Sequence, residues 1–478
     1  MTDDASGVER RGDVPERPGD VPEVHDRWLL VSVAGVLSFV AMLDMNIVNV
    51  ALADISEGLG VSAAAAQWVV LGYQLPVVAL LLPVGHWLDD QGVRPALLAA
   101  TAGFGLCSAL AAAAPWAFWL IAARIGQGAC GAVLFVLMPV LAIRSVRPEL
   151  RGRAMSVPAT LGPLGAVIGP AVGGLVLDHL GWRWIFLVKI PLCLVALAVV
   201  WRTMPRSGRL RAPDRRSLVD TALVATGVTI LLLSLTLVSD APAWLALALA
   251  VVAVPPLWWW LRGPGGRPVT DVLRAAGLLR AHGAVLALAV GFAAMHYVVA
   301  LHLRRDEDVS ATTTGLTVLA FPLGMGLAGP LGGRLADRYG ARPVAATGAA
   351  LTATGLLLLV LPGDGWSPPD AAWRLVLAGL GMGLHGGPTQ ALVMGAAPPG
   401  RAATIGSTVQ LARSLGFTLG PALATAAWRV TGPDGGARTG LALAATAACL
   451  AVPLLALPAR GPANRSGSAT DAAPATPR

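Results

Sequence analysis

Stretches of about 20 apolar residues recur about fourteen times along this chain, each bounded by a short polar segment. Twenty residues of α-helix, rising 1.5 Å each, cover the ~30 Å hydrocarbon layer of a bilayer. The first six stretches are Trp28–Ala53, Gln67–Leu88, Pro95–Ala114, Trp116–Ile143, Ala154–Leu177 and Trp184–Val200. Two more are Leu218–Val238 and Pro242–Leu261, and the last six are Leu278–Leu303, Thr313–Leu331, Val344–Leu361, Ala372–Ala397, Ala403–Trp428 and Leu441–Leu457. Of the 478 residues 55% are hydrophobic and 13% charged, against about 25% charged in soluble domains. One water-soluble core cannot hide that much apolar surface, so lipid must solvate most of it. In lipid the backbone must satisfy itself, which selects helices here. The expected fold class is an all-α polytopic membrane protein.

Loop arginines orient the spans. Arg144, Arg147, Arg151, Arg153, Arg202, Arg206, Arg209, Arg211, Arg215 and Arg216 fall on one side, joined later by Arg262, Arg267, Arg274, Arg334, Arg338 and Arg342. The positive-inside rule makes that side cytoplasmic, with both termini inside and the protein multi-pass in the plasma membrane. Arg304 and Arg305 run against this pattern, with Asp306, Glu307 and Asp308 beside them. Residues 1–26 and 459–478 are polar or Pro-containing without an apolar core and read as disordered cytoplasmic tails. The net charge of +8 is accounted for by these loops and does not call for nucleic acid. Cys107, Cys130, Cys193 and Cys449 sit inside apolar stretches without metal-ligand spacing and read as small packing residues.

The chain contains a repeat. After the second stretch it reads Gly85, Asp89, Gly92, Arg94, Pro95, and after the tenth it reads Gly333, Asp337, Gly340, Arg342, Pro343, with identical spacing. Two related six-helix halves follow, 27–203 and 275–458, with two extra helices inserted in a linker at 204–274. Transporters are commonly built from such repeats.

Further residues carry a family resemblance. The first stretch has Leu43-Asp44 and then Ile47-Val48-Asn49-Val50-Ala51-Leu52, the fourth has Arg124, Gln127 and Gly128, and the fifth has Gly165, Gly169, Pro170, Gly173 and Gly174. The sixth opens Gly181-Trp182-Arg183-Trp184-Ile185-Phe186, and the thirteenth carries Gln410, Arg413 and Gly416. Together with the loop repeat, these resemble the major facilitator superfamily, specifically its fourteen-helix drug:proton antiporters, over nearly the whole chain. The resemblance implies two six-helix bundles plus two inserted central helices, and export of small amphiphilic compounds against protons by alternating access. The chain departs from the pattern at Asp90, where arginine is usual, at Lys189, where an uncharged polar residue is usual, and at Ala53, where proline is usual.

Charges inside a membrane are costly and call for a reason. Asp44 and Arg124 fall at similar depths, roughly 10–14 Å from the outer surface. They read as a protonatable carboxylate and the cation that sets its hold on a proton, or as a permanent ion pair fixing helix packing. Gln127 shares a helix face with Arg124. Asn46 and Asn49 read as substrate contacts or as interhelical hydrogen bonders. Lys189, the single lysine, either snorkels outward or faces the cavity. His296 and His385 are the deeply placed histidines, each able to titrate, bind substrate or simply pack. Gly165, Gly169 and Gly173 leave a smooth face for close approach and Pro170 a kink. Asp89 and Asp337 read as latches at helix ends. Trp182, Trp184 and Trp258 to Trp260 read as interface anchors.

No nucleotide partner is expected, because Lys189 lies within an apolar stretch and follows no Gly-rich loop. A polytopic membrane enzyme would show clustered carboxylates or histidines, and Asp89-Asp90 stand without others nearby. A channel would show a filter-like loop. A transporter-derived sensor remains as an alternative. The expected partners are a small-molecule substrate, protons and the lipid bilayer, with no cofactor and no metal.

Overall fold

The computed structural model describes residues 26–206, 208–237, 243–263, 266–275, 278–305, 307, 309–361 and 367–457. The expected tails lie outside them, Asp26 excepted, as do Asp306 and Asp308.

Helices run through the apolar stretches as far as the residues are described. In the first half these are α1 (Trp28–Ile47), a short α2 (Leu52–Leu59), α3 (Ala63–Asp89), α4 (Val93–Ala112), α5 (Ala117–Arg144), α6 (Arg151–Leu180), α7 (Trp182–Leu187) and α8 (Ile190–Thr203). Then come α9 (Arg215–Leu237), α10 (Ala243–Arg262) and a short α11 (Arg267–Ala275). The second half holds α12 (Leu279–Arg305), α13 (Ala311–Tyr339), α14 (Ala341–Val360), α15 (Pro368–Gly395) and α16 (Ala402–Ala456). At Gly432 in α16 the backbone leaves helical geometry at φ 74°, which only glycine adopts readily, so α16 is two helices joined at a kink. Among the described residues ten helical spans are long and apolar enough to cross a membrane. Leu218–Ser234 and Leu247–Arg262 are shorter apolar helices. Helices over 372–397 and 403–428 are outside the ten, and these carry the polar residues His385, Thr389, Gln390, Gln410 and Arg413.

The chain folds as two helical bundles. In the first, α1 packs on α6, α3 and α4 pack on α5, and α4 packs on α8. In the second, α12 runs along α16, and α15 carries α13 and α14. The seam between them is made by α6 against α13 and α15, and by α3 and α5 against α16. The inserted hairpin α9–α10 lies over that seam. Val224, Val228, Leu232 and Trp260 form one apolar cluster with Val78, Ala79 and Leu82 of α3, with Leu411 and Leu415 of α16 packed against it.

The glycine face of α6 sits on α1. A Cβ on Gly173 would meet the Ile47 carbonyl oxygen at 3.1 Å, and one on Gly169 would meet the Leu43 oxygen at the same distance. Gly165 is closer still to the Phe39 carbonyl, whereas Gly174 has nothing within 4 Å. The helix thus needs three of its motif glycines for contact with α1, and the fourth not at all.

Two of the expected interface anchors are buried. Trp182 lies beneath Gly58 of α2, ring-to-ring with Phe186 at 6.3 Å. Trp260 belongs to the inserted hairpin's packing face. Trp184, Trp258 and Trp259 are exposed as anchors should be.

Candidate functional site

The buried charges of the first bundle converge on one carboxylate. Asp44 of α1 accepts from the Nη1 of Arg124 of α5 at 2.6 Å on one oxygen, and its other oxygen pairs with the Nζ of Lys189. Asp44 and Arg124 have no exposed surface, and Lys189 has almost none. The local sequence explains the lysine. Pro191 has no N–H to give and its ring crowds the carbonyl one turn earlier, so the helix breaks between α7 and α8 at Val188-Lys189. That break turns Lys189 inward. It neither snorkels nor lines the central cavities described below.

A polar shell holds the arginine. Its Nε donates to the Val69 carbonyl at 3.0 Å and its Nη1 to Gln127 Oε1 at 2.9 Å. Gln127 Nε2 donates to Ser108 Oγ at 3.3 Å, and Ser108 in turn to the Phe186 carbonyl at 2.7 Å. The guanidinium lies 4.4 Å from the Tyr73 ring centre, and the lysine ammonium 5.2 Å from that of Phe186. Cation–π contact offsets part of the desolvation that two buried cations suffer. The similar depths of Asp44 and Arg124 allowed their contact. Tyr73, Ser108 and Phe186 were not legible as partners, because a tyrosine, a serine and a phenylalanine in apolar helices carry no signal of which neighbour they face.

At the arginine-rich end the two loop motifs do the same thing in mirrored places. Asp89 closes α3 and reaches the first turn of α16, where it accepts from the Ala403 amide at 2.8 Å and the Thr404 hydroxyl at 2.5 Å. Asp337 near the end of α13 reaches the first turn of α6, accepting from the Gly152 amide at 2.7 Å and the Arg153 amide at 3.2 Å. Each aspartate therefore crosses the seam and satisfies helix N-terminal donors, where a negative charge is favoured. The glycine four residues earlier makes the approach possible. A Cβ on Gly85 would meet the Ala403 oxygen at 2.9 Å, and one on Gly333 the Arg153 Cα at 2.8 Å.

The motif arginines each hold a carbonyl at a helix end of their own half. Arg94 donates to the Trp201 carbonyl at 2.7 Å at the end of α8, and Arg342 to the Leu457 carbonyl at 3.2 Å after α16. Gly340 turns the chain from α13 to α14 at φ 91°, and Gly92 precedes α4 at φ −69°. Asp90 is exposed and takes no part in the latch, so its departure from the usual arginine leaves the first latch complete. Arg338 is exposed beside the Tyr339 ring.

Two cavities lie at the seam. One is bounded by α6, α12, α13, α15 and α16, the other by α1, α5, α6, α15 and α16, and both are lined by Pro163, Gln390 and Arg413. His385 lines the first and pairs its Nδ1 with Thr389 Oγ1 at 2.8 Å. Apolar walls come from Phe292, Met325, Met382 and Phe417. His296 is packed between Phe292 and Phe321 rather than lining either cavity. Asn46 donates to the Met42 carbonyl of its own helix at 3.0 Å and Asn49 is exposed; among the described residues neither makes an interhelical hydrogen bond, and neither lines the two cavities. His282 is also buried, pairing its Nε2 with Thr408 Oγ1 at 2.8 Å. It was missed because it begins its apolar stretch. Gln390 was missed although an amide within an apolar stretch is a fair signal of a functional position.

A bundle of apolar helices in two halves, with cavities that carry a few polar side chains where they meet, is the architecture of a membrane transporter. The Major Facilitator Superfamily model matches residues 34–264 and 283–478, and the chain belongs to that family. It is 28% identical over 412 residues to the methyl viologen resistance protein SmvA of Salmonella typhimurium, covering 83% of this chain and 81% of the relative. It is 30% identical over 415 residues to the drug efflux pump JefA of Mycobacterium tuberculosis, covering 84% and 80%. The fold is similar to the crystal structure of the human organic anion transporter MFSD10, with a TM-score of 0.62 at 17% identity over 91% of this chain and all of the other.

Proposed function

We propose that this transporter exports small amphiphilic organic compounds from the cell in exchange for protons, by alternating access in the plasma membrane. Asp44 gripped between Arg124 and Lys189 is the observation that carries the reading. With both oxygens facing cations, protonating the carboxyl here would leave two buried positive charges facing one another. A rearrangement that withdraws either cation would favour proton uptake. The carboxylate is thus a proton site whose occupancy depends on helix positions, which is what coupling requires.

The latches supply the second state variable. Asp89 and Asp337 hold the arginine-rich ends of the halves together, so that end is shut when both are made. In this reading the arginine-rich end is cytoplasmic and both termini lie there. The chain crosses the membrane fourteen times, as 27–203 and 275–458 with the hairpin of 204–274 between them. Relatives named for drug efflux and for methyl viologen resistance support outward transport of small organic compounds.

The test is accumulation of a panel of dyes and antibiotics in cells with and without the gene, each with and without an uncoupler. Gene-dependent exclusion that the uncoupler abolishes supports the reading. Exclusion that survives collapse of the proton gradient overturns it.

A further inference from the structure

Among the described residues no carboxylate lies within ion-pair distance of Arg413. Its surroundings differ from those of Arg124 and Lys189, whose charges meet Asp44. Arg413 instead lines both seam cavities, and neither lining contains an aspartate or a glutamate. An arginine does not shed its charge, so this half-buried guanidinium faces both cavities without a carboxylate partner among the described residues. Gln390 lines the same two cavities, is nine-tenths buried, and its Oε1 accepts no hydrogen bond from the protein. The first cavity is also lined by the His385–Thr389 pair, and its apolar wall includes Met325, Met382, Phe292 and Phe417, the last two with ring centres 5.6 Å apart. Methionine and aromatic walls accept flat apolar bodies of varied outline.

We infer that the cavity lined by Arg413 and Gln390 binds an aromatic organic monoanion. The acid group is taken by the Arg413 guanidinium, a neighbouring N–H or O–H of the ligand donates to Gln390 Oε1, and the aromatic body lies against Phe292 and Phe417. The inference rests on the transporter reading above and adds the substrate class. Cations are disfavoured, because desolvating one beside Arg413 has no carboxylate to offset it. The planar fork of arginine suits a two-oxygen acid better than a lysine would.

Two naphthalene probes separate acid recognition from apolar fit. Anilinonaphthalene sulfonate and phenylnaphthylamine share one skeleton and one N–H, and only the first carries an acid. Binding is read as energy transfer from tryptophan in the full-length protein in neutral-lipid nanodiscs, with empty nanodiscs subtracted. Arg413→Gln is expected to weaken sulfonate binding roughly 10- to 100-fold, the range for a lost charge-assisted hydrogen bond. The amine should change less than about threefold, and Arg413→Lys should recover part of the sulfonate affinity. Equal losses for both probes, or methyl viologen displacing the sulfonate as well as unlabelled sulfonate does, would overturn the inference. The wild-type displacement assay stands even if the variants fold poorly. Binding needs no proton gradient, so Asp44→Asn is expected to keep the sulfonate preference while losing flux. Flux insensitive to an uncoupler, with that preference intact, would sink the coupling reading and leave this site standing.

Discussion

Lys189, the single lysine of the chain, ends on the same carboxylate as Arg124, so Asp44 carries two cations and not one. The cluster has an excess of positive charge within the apolar core of the first bundle. Removing the carboxylate and removing the lysine must then have opposite electrostatic consequences.

Asp44→Asn should abolish proton-driven efflux while the protein still inserts. It leaves Arg124 and Lys189 without their shared counter-charge, at a cost of about 3–5 kcal/mol for a broken buried pair. Adding Lys189→Gln should restore much of the thermal stability in detergent without restoring flux. Full efflux by correctly inserted Asp44→Asn would remove Asp44 as the coupling site.

The latches give an order of sensitivity. Asp337→Ala and Asp89→Ala each delete a helix cap across the seam, worth about 0.5–2 kcal/mol to the latched state. Asp90→Ala deletes an exposed charge that touches neither. Transport at matched expression should fall for the first two and stay near wild type for the third. A larger defect for Asp90→Ala than for Asp337→Ala would show that the exposed residue does the latching.

Two adjacent glycines should behave differently. Gly173→Ala pushes a methyl group toward the Ile47 carbonyl, 3.1 Å from the new Cβ, and Gly174→Ala places one in open space. The first should cost about 1–3 kcal/mol through overpacking, and the second within about 0.5 kcal/mol of nothing. Melting of the purified variants in detergent decides between them.

Orientation is open to labelling. In a background without native cysteines, Asp90→Cys should be shielded from a membrane-impermeant maleimide in intact cells, and Glu57→Cys should react. Both side chains are solvent-accessible, so accessibility alone does not separate them. The reverse pattern would invert the topology.

Much of this protein was legible before any coordinates. Apolar stretches of bilayer length dictate helices, because a backbone in lipid has no other donor or acceptor. The matched spacing of Gly85 to Arg94 and Gly333 to Arg342 points to two related halves. Asp44 and Arg124 announce themselves, because an ionised group in an apolar helix is expensive and its partner must lie at the same depth. What the sequence could not decide is which helix faces meet. A periodicity of 3.6 residues tells polar faces from apolar ones in water, but a helix solvated by lipid is apolar all round. Lys189 could therefore be read as outward or cavity-facing, and only the break before Pro191 and the packing of α8 against α1 turn it onto Asp44. Asp89 and Asp337 were visible as helix-end charges. That each caps the first turn of a helix in the opposite half depends on contacts far apart in sequence, and tertiary structure alone brings those together.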